Sequence, residues 1–452
     1  ANVLLEWEHS WKRRQQAGEE TIKKTFFSRQ KEGILVSFAI QLFTIPLVAY
    51  SYYEIPVYAM LINLFVLAVV NGLLGLTVLG MIVGMAFLPA GRVLFAPCGW
   101  MLDSYRFLCE VSLKIPGAQR ITGKPAHMRI FWYYLGLGVF LLAIYACARR
   151  NEKHKDCRET ADLCVSRRKK RLQGIVFSCF IAFLLLFLLF PQKKSFEIDF
   201  LDVGQGDGIY LCTGGGTSMF IDGGSTDVKQ VGKYRILPFL KAKGVSEISY
   251  WFVSHTDTDH VSGLKEVLVS GYRVEYLVFA KAVEKEAKTK ELAELARSHG
   301  TKVLYMQAGD TVRSKRAAMR CLYPKASDKA EDVNDLCLVL QFEEGDIRAL
   351  FGGDISTDVE EQLLRRRKWD KVLIFKADHH GSRYANAEAL LKCIRPEITV
   401  ASAGKDNRYG HPSPDAVQRI KESGSRFFCT IEGGRIRVRV IENKLVCETY
   451  VK

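Results

Sequence analysis

The sequence predicts a membrane-embedded helical segment followed by a soluble domain of mixed β-strands and helices. Three observations carry this. Long uncharged apolar runs fill the first 191 residues, and from about Lys193 onward charged and apolar residues mix as in soluble domains. Beyond that point, short β-rich runs alternate with helical patterns. Finally, acid and imidazole side chains cluster directly after three of the β-rich runs. The division expected is a cytoplasmic polar segment at 1–33, a transmembrane domain at 34–191 and a soluble domain at 192–452.

The polar opening, ANVLLEWEHSWKRRQQ, lacks an initiator methionine and a signal-peptide pattern, and is expected to be the interior of a longer protein. Spans come next. A crossing helix needs about 20 apolar residues. Ile34 to Tyr53 qualifies, with Pro46 expected to kink it. Pro56 to Pro89 is longer than one span requires and carries Gly72, Gly75, Gly80 and Gly84, so it reads as two short passes or a re-entrant hairpin. Gly91 to Gly117 intersperses Arg92, Asp103, Arg106, Glu110 and Lys114 with apolar residues, the pattern of an amphipathic helix at the interface. Ile130 to Ala148 and Gly174 to Phe190 are two further spans.

Basic residues crowd into Lys12 to Lys31 and Arg149 to Arg171, which the positive-inside rule places in the cytoplasm. Counting crossings from there puts the soluble domain outside. The formal charge of +15 suits an acidic partner such as nucleic acid or anionic lipid, and cytoplasmic loops account for part of it. Twelve cysteines without a C-x-x-C pair indicate neither a redox motif nor a zinc ribbon. A disulfide among Cys212, Cys321, Cys337, Cys393, Cys429 and Cys447 is compatible with an oxidising compartment.

In the soluble part, FEIDFLDV, GIYLCT, TSMFID, ISYWFVS and RALFGGD read as strands, and Ala282 to His299 and Thr357 to Arg366 as helices, the first ending on a glycine cap. The stretch SHTDTDH follows one strand. His255 and Asp257, two apart beyond the strand end, project to one side, whereas Asp259 and His260 open a helix and aim elsewhere. That suits two ions in one cleft. Asp354 in LFGGDIS, His379 and His380 in FKADHHGS, and His411 in NRYGHPS end or follow other runs. Taken singly, DTDH also reads as a helix cap, HHGS as a turn and GGD as a hairpin. Nitrogen and oxygen donors without thiolate fit Zn or Mn, with the carboxylate share favouring Mn.

LDVGQGD, IDGG, HTDTDH, LFGGD, KADHHGS and NRYGHP together resemble, in order and spacing, the metallo-β-lactamase-like domain that ends ComEC-family DNA internalisation proteins. The apolar segments, IPVYAMLINLFV among them, resemble the closing part of that family's competence domain. The resemblance implies an αββα sandwich after a transmembrane helical bundle. Asp257 stands where the superfamily commonly has a second histidine, and the oligonucleotide-binding barrel and earlier helices of a full family member are absent from this sequence. Carried over, one ion falls to His255 and Asp257 and a second to Asp259 and His260, with Asp354 bridging and His380 closing the site. Asp259 and His411 are the catalytic candidates, His411 as a ligand or a phosphate-facing proton donor. Asp202, Asp222 and His379 orient the ligands, and Lys376, Arg383, Lys405 and Arg408 draw in the substrate backbone.

Two such ions would activate a water and clamp the attacking and leaving oxygens of a phosphodiester. The function implied is DNA uptake at the cell membrane, with helices contributing to a conduit for one strand, an external nuclease degrading the other, and lipid and other competence proteins as partners. A metal-dependent hydrolase of another ester and a non-catalytic DNA-binding module are the rivals.

Overall fold

The structure is a computed structural model that describes residues 34, 36–153, 163–190, 194–442 and 444–450. The predicted cytoplasmic segment 1–33 and most of the basic loop 149–171 lie outside the described residues or their described side chains. The chain divides into two compact units, Ala1–Pro191 and Gln192–Lys452.

The first unit contains α1 (Val36–Tyr52), β1 (Glu54–Pro56), α2 (Ala59–Ala86), α3 (Leu88–Lys114), β2 (Gln119–Ile121), α4 (His127–Lys153) and α5 (Leu163–Leu189), with β1 and β2 antiparallel. Pro46 lies inside α1 and brings no N–H to the carbonyl of Leu42 four residues back. The buried Tyr133 hydroxyl from α4 donates to that carbonyl at 2.9 Å, and Tyr134 donates to the next one, of Phe43, at 2.8 Å. Ile45, Ala49, Leu137, Phe140, Leu184 and Leu188 join α1, α4 and α5 in one apolar cluster.

Two expectations are corrected here. The run 56–89 is neither two passes nor a re-entrant loop: α2 is one unbroken helix of 28 residues, about 42 Å at 1.5 Å per residue. Nor does 91–117 stand apart as its own unit, since as far as Lys114 it falls in α3. The chain reverses at Phe87, in extended conformation, and α3 returns along α2. Glycine makes this possible, because a Cβ on Gly91 would lie 2.6 Å from the Cα of Gly84. The charges that suggested an interface are managed locally, Arg106 pairing with Asp103 and Glu110 one turn away on either side.

Among the described residues two helices, through Val69–Ala86 and His127–Ala146, are long and apolar enough to cross a bilayer. The apolar stretches Val36–Tyr52 and Gly174–Leu189 are shorter. Met85, Leu142 and Leu186 all point outward.

The second unit is two sheets face to face. In chain order the first holds β3 (Glu197–Phe200), β4 (Gly208–Cys212), β5 (Ser218–Asp222), β6 (Glu247–Phe252), β7 (Arg273–Ala280) and β8 (Lys302–Met306). The second holds β9 (Thr311–Ser314), β10 (Ala317–Tyr323), β11 (Val339–Glu344), β12 (Ile347–Phe351), β13 (Ile374–Lys376), β14 (Ile398–Ala401) and β15 (Arg426–Cys429). The chain then returns to the first with β16 (Arg435–Ile441) and β17 (Lys444–Tyr450), giving the order β17-β16-β3-β4-β5-β6-β7-β8. Phe200, Leu211, Met219 and Phe252 meet Met319, Leu340, Phe342 and Phe351 between the sheets.

Helices cover both outer faces. On the first sheet, α6 (Leu237–Ala242), α7 (Thr258–Val269) and α8 (Ala287–Ser298) bury Leu240, Leu264 and Leu292 against Phe220, Trp251 and Leu277. On the second, α9 (Thr357–Arg366), α10 (Glu388–Ile394) and α11 (Pro414–Glu422) bury Leu363, Leu391 and Ile420 against Leu350 and Phe375. A short turn of helix, α12 (Thr430–Gly433), precedes β16. This is the αββα sandwich the motifs implied. The six cysteines considered for a disulfide are all free. Strands β5 to β8 and β12 to β15 run parallel within their sheets, so the chemistry-bearing loops leave their carboxyl ends.

Candidate metal centre

Four buried residues converge: Asp207, His260, Asp354 and His380 each bring a ligand atom to within 4.8 Å of the others. Each arrives by a different route. Asp207 ends the loop between β3 and β4, where Gly206 has φ 150° and a Cβ would lie 2.4 Å from the Asp259 carbonyl. Only glycine lets that loop lie against the start of α7, and the Asp207 N–H donates to the same carbonyl at 3.1 Å.

His260 sits in the first turn of α7. Its Nδ1 donates to Asp222 at 3.0 Å, and Asp222 also accepts from the Ser254 N–H and hydroxyl at 2.8 and 2.9 Å. Asp354 follows β12 by way of Gly353, whose φ of 68° brings it beside Ser254. His380 follows β13 in left-handed backbone and donates Nδ1–H to the Ser402 carbonyl at 3.0 Å. Both rings thus spend Nδ1 outward and turn Nε2 inward, each 3.3 Å from Asp354 Oδ2.

Nε2 of His260 and His380 and Oδ1 of Asp207 and Asp354 are buried without a hydrogen-bond partner. Inward-facing bare donors on fixed rings and carboxylates are costly unless a cation joins them, so the set fits a divalent metal. The electrostatics agree. Burial opposes charge on both imidazoles, yet Asp354 and Asp222 hold His260 well above the ordinary range, and Asp354 and Asp207 hold His380 at about 9. Burial likewise opposes the Asp354 carboxylate, which His380 and His260 keep well below its usual range. Without a cation, protons answer the carboxylates.

The remaining expected residues are placed as follows. Asp259 is on the rim, 3.6 Å from His380 Nε2, its ionised form favoured by His380 and His260 against burial. The His255 ring lies 4.0 Å from that of His260, tilted by 49°, with Nδ1 3.1 Å from the Ser254 hydroxyl and 3.4 Å from Cys337 Sγ. Its pKa falls to about 4 through burial and the neighbouring His260. Asp257 caps α7 by position but not by its side chain, which lies 3.9 Å from His255 Nε2 and pairs with Lys288 at 2.9 Å. His379 is 3.8 Å from Asp354 and one-third exposed. His411 lies 6.3 Å ring to ring from His380, lowered to about 4 by burial and by His380 and His379, with Nδ1 buried and unpartnered. Asp222 lies behind His260 and accepts from its Nδ1.

Two placements are corrected. Asp202 turns away and pairs with Arg235 at 2.9 Å; the acid of LDVGQGD that enters the centre is Asp207. Lys376 is buried and paired with Asp207 Oδ2 at 2.5 Å, so it braces a ligand and offers nothing to a substrate. Arg383, Lys405 and Arg408 are exposed. GQGD shares the glycine-then-acid arrangement of GGD, a local likeness that does not by itself choose between Asp202 and Asp207. Cys337 is a further neighbour the motifs did not mark; burial and Asp354 push its thiol well up, so it stays protonated.

Residues 3–146 match the family model described as Competence protein. Among curated proteins, ComE operon protein 3 of Bacillus subtilis is 28% identical over 293 residues, covering 61% of this chain and 38% of that protein. Recombination protein 2 of Haemophilus influenzae is 26% identical over 274 residues, covering 60% and 32%. Competence protein ComA of Neisseria gonorrhoeae is 28% identical over 250 residues, covering 55% and 32%. The chain thus spans about a third of the length of these relatives. Among solved structures, the metallo-β-lactamase fold protein YhfI of Bacillus subtilis aligns at 10% identity over 52% of this chain and 96% of its own, with a TM-score of 0.37. Zn(2+)-bound PqqB from Methylobacterium extorquens aligns at 11% identity over 50% and 85%, with a TM-score of 0.34.

Proposed function

From the premise that this chain belongs to the ComEC family of competence proteins, we propose that it is part of a multi-pass membrane machine for DNA uptake. Its domain from 192 onward is an extracytoplasmic, metal-dependent nuclease that degrades the strand not transported. Residues 34–191 contribute helices to the conduit, and residues 1–33 and the loop 149–171 face the cytoplasm. The outward-pointing apolar side chains of α2, α4 and α5 and the basic segments support the membrane reading.

The observation that carries the enzymatic part is the convergence of four unpartnered buried donors from the segments that follow β3, β6, β12 and β13. Asp207, His260, Asp354 and His380 would hold the cation, His255 and Asp257 offering two donors for a second. Zn or Mn bound there supplies Lewis acidity and an activated water. The chain's own work is orientation: Asp222 and the Ser402 carbonyl fix the two imidazole tautomers, and Lys376 holds Asp207. His411, neutral near pH 7, would donate a ring N–H to a phosphate oxygen rather than act as a charged acid.

The test is DNA cleavage by the full chain in detergent with added Mn or Zn. Asp354→Ala and Asp259→Ala are each expected to lower turnover by about 100-fold or more. Cleavage that survives both substitutions, or material that takes up no divalent ion while folded, removes the assignment. Lactam and phosphocholine substrates run alongside distinguish a nuclease from another esterase.

A further inference from the structure

We propose that two Arg-Tyr pairs at the mouth of the centre, Arg383-Tyr384 and Arg408-Tyr409, clamp the bases of single-stranded DNA and make the site prefer an unpaired strand over a duplex. This rests on the nuclease reading and specifies the form of its substrate. The two pairs occupy the loops after β13 and β14, and those loops are locked together. The Ser413 N–H donates to the Gly381 carbonyl at 2.9 Å, and a Cβ on Gly381 would lie 2.6 Å from the Cβ of Pro412. Arg419 of α11 donates to the carbonyls of Arg383 and Ala385 at 3.1 and 2.8 Å.

On this anchored backbone the rings stand out, Tyr384 72% exposed and Tyr409 50% exposed. Tyr409 lies nearly parallel to His411 at 5.7 Å, and His411 nearly parallel to His380 at 6.3 Å. The half-exposed Tyr409 ring is thereby two ring steps from a residue of the centre, the reach of one or two nucleotides, while the uncovered aromatic ring on these loops is that of Tyr384. The Arg408 guanidinium covers one face of Tyr409 at 4.9 Å and donates to its hydroxyl at 2.7 Å, holding the ring in place. Among the described residues neither the Tyr384 ring nor the Arg383 guanidinium has a partner of its own.

Aromatic faces take up bases of any sequence, and adjacent guanidinium groups answer the phosphates between them. Bases inside a duplex have their faces already stacked, so the clamp engages only an open strand. Arg383, Lys405 and Arg408 are exposed on these same two loops, cations within reach of a polyanion's phosphates.

The experiment compares KM of the Mn-loaded full chain for short oligothymidylate, for an abasic strand of equal length and charge, and for duplex. Oligothymidylate is expected to bind about 10-fold or more tightly than the abasic strand, on the scale of one base–aromatic stack. Tyr384→Ala and Tyr409→Ala should each remove most of that preference, and Tyr409→Phe should keep it. If the wild-type chain treats the two single strands alike, or the alanine variants retain the preference, the clamp is overturned and the nuclease stands. If the chain cuts no DNA, the nuclease reading falls. Anisotropy of labelled strands on the same protein then decides the clamp, which survives only if the base preference is present and lost with the tyrosines.

Discussion

The motif HTDTDH delivers two acid-imidazole pairs that end up in unlike surroundings. Asp259 and His260 sit at the start of α7 beside Asp354 and His380, with His260 entirely buried and its tautomer fixed by Asp222. His255 and Asp257, a few residues earlier, are split between environments. His255 is buried against Ser254 and Cys337, while Asp257 is nearly half exposed and engaged by Lys288. The difference teaches that ligand chemistry alone does not make a strong site. Bare donors, held rigid by a surrounding shell and kept from water, do.

The largest expected effect is on the inner cluster. His380→Ala or Asp354→Ala should weaken binding of the tightest divalent ion by more than the 10–100-fold typical of supporting residues, measured by competition against a chelating dye. A milder loss, equal to that from Asp257→Ala, would erase the distinction between the two pairs.

Next come the supports. Asp222→Ala leaves all four ligands in place yet frees the His260 ring, and about 10–100-fold weaker binding is expected with one ion still bound per chain. Lys376→Met removes the positive charge beside Asp207, and the unbraced carboxylate should likewise loosen the ion. Unchanged affinity in both would show the ligands to be self-supporting.

The proton content of the inner cluster makes a third prediction. His380 in the metal-free protein has its pKa raised to about 9, so a cation must displace its proton below that pH. Apparent affinity should climb about tenfold per pH unit for each proton released, with the His380 contribution to that slope gone above about 9. The same shift acts on stability with the opposite sign. A raised histidine pKa stabilises the metal-free fold fully below the unfolded value of about 6.5 and loses that contribution as pH rises through the folded value. Calorimetry of chelator-treated protein should show its melting temperature fall across this interval, and bound metal should abolish the fall. A melting profile that rises there in the metal-free protein would contradict the assignment.

The smallest effect concerns the outer pair. Lys288→Ala frees Asp257 to turn toward His255, and occupancy of a second ion should rise only severalfold, as expected for a half-exposed ion pair worth about 1 kcal/mol or less. Elemental analysis at several metal concentrations reads this directly.

Sequence by itself determined the two-part chain, the alternation of strands and helices after residue 192, and the clusters at 255–260, 354 and 379–380. These are local properties: apolar periodicity decides which backbone forms a strand or helix, and side chains at a strand's end stay there whatever the strand packs against. Tertiary structure alone decided which acid of LDVGQGD enters the centre, because Asp202 and Asp207 differ in role only through the turn at Gly206 and the partners waiting for each, Arg235 and Lys376. It also decided that Lys376 is interior and that α2 and α3 form a hairpin closed at Gly84 and Gly91. Charge and glycine content say that a residue can pair or approach closely. Which partner it meets is set by contacts between segments far apart in the chain, and no local pattern encodes those.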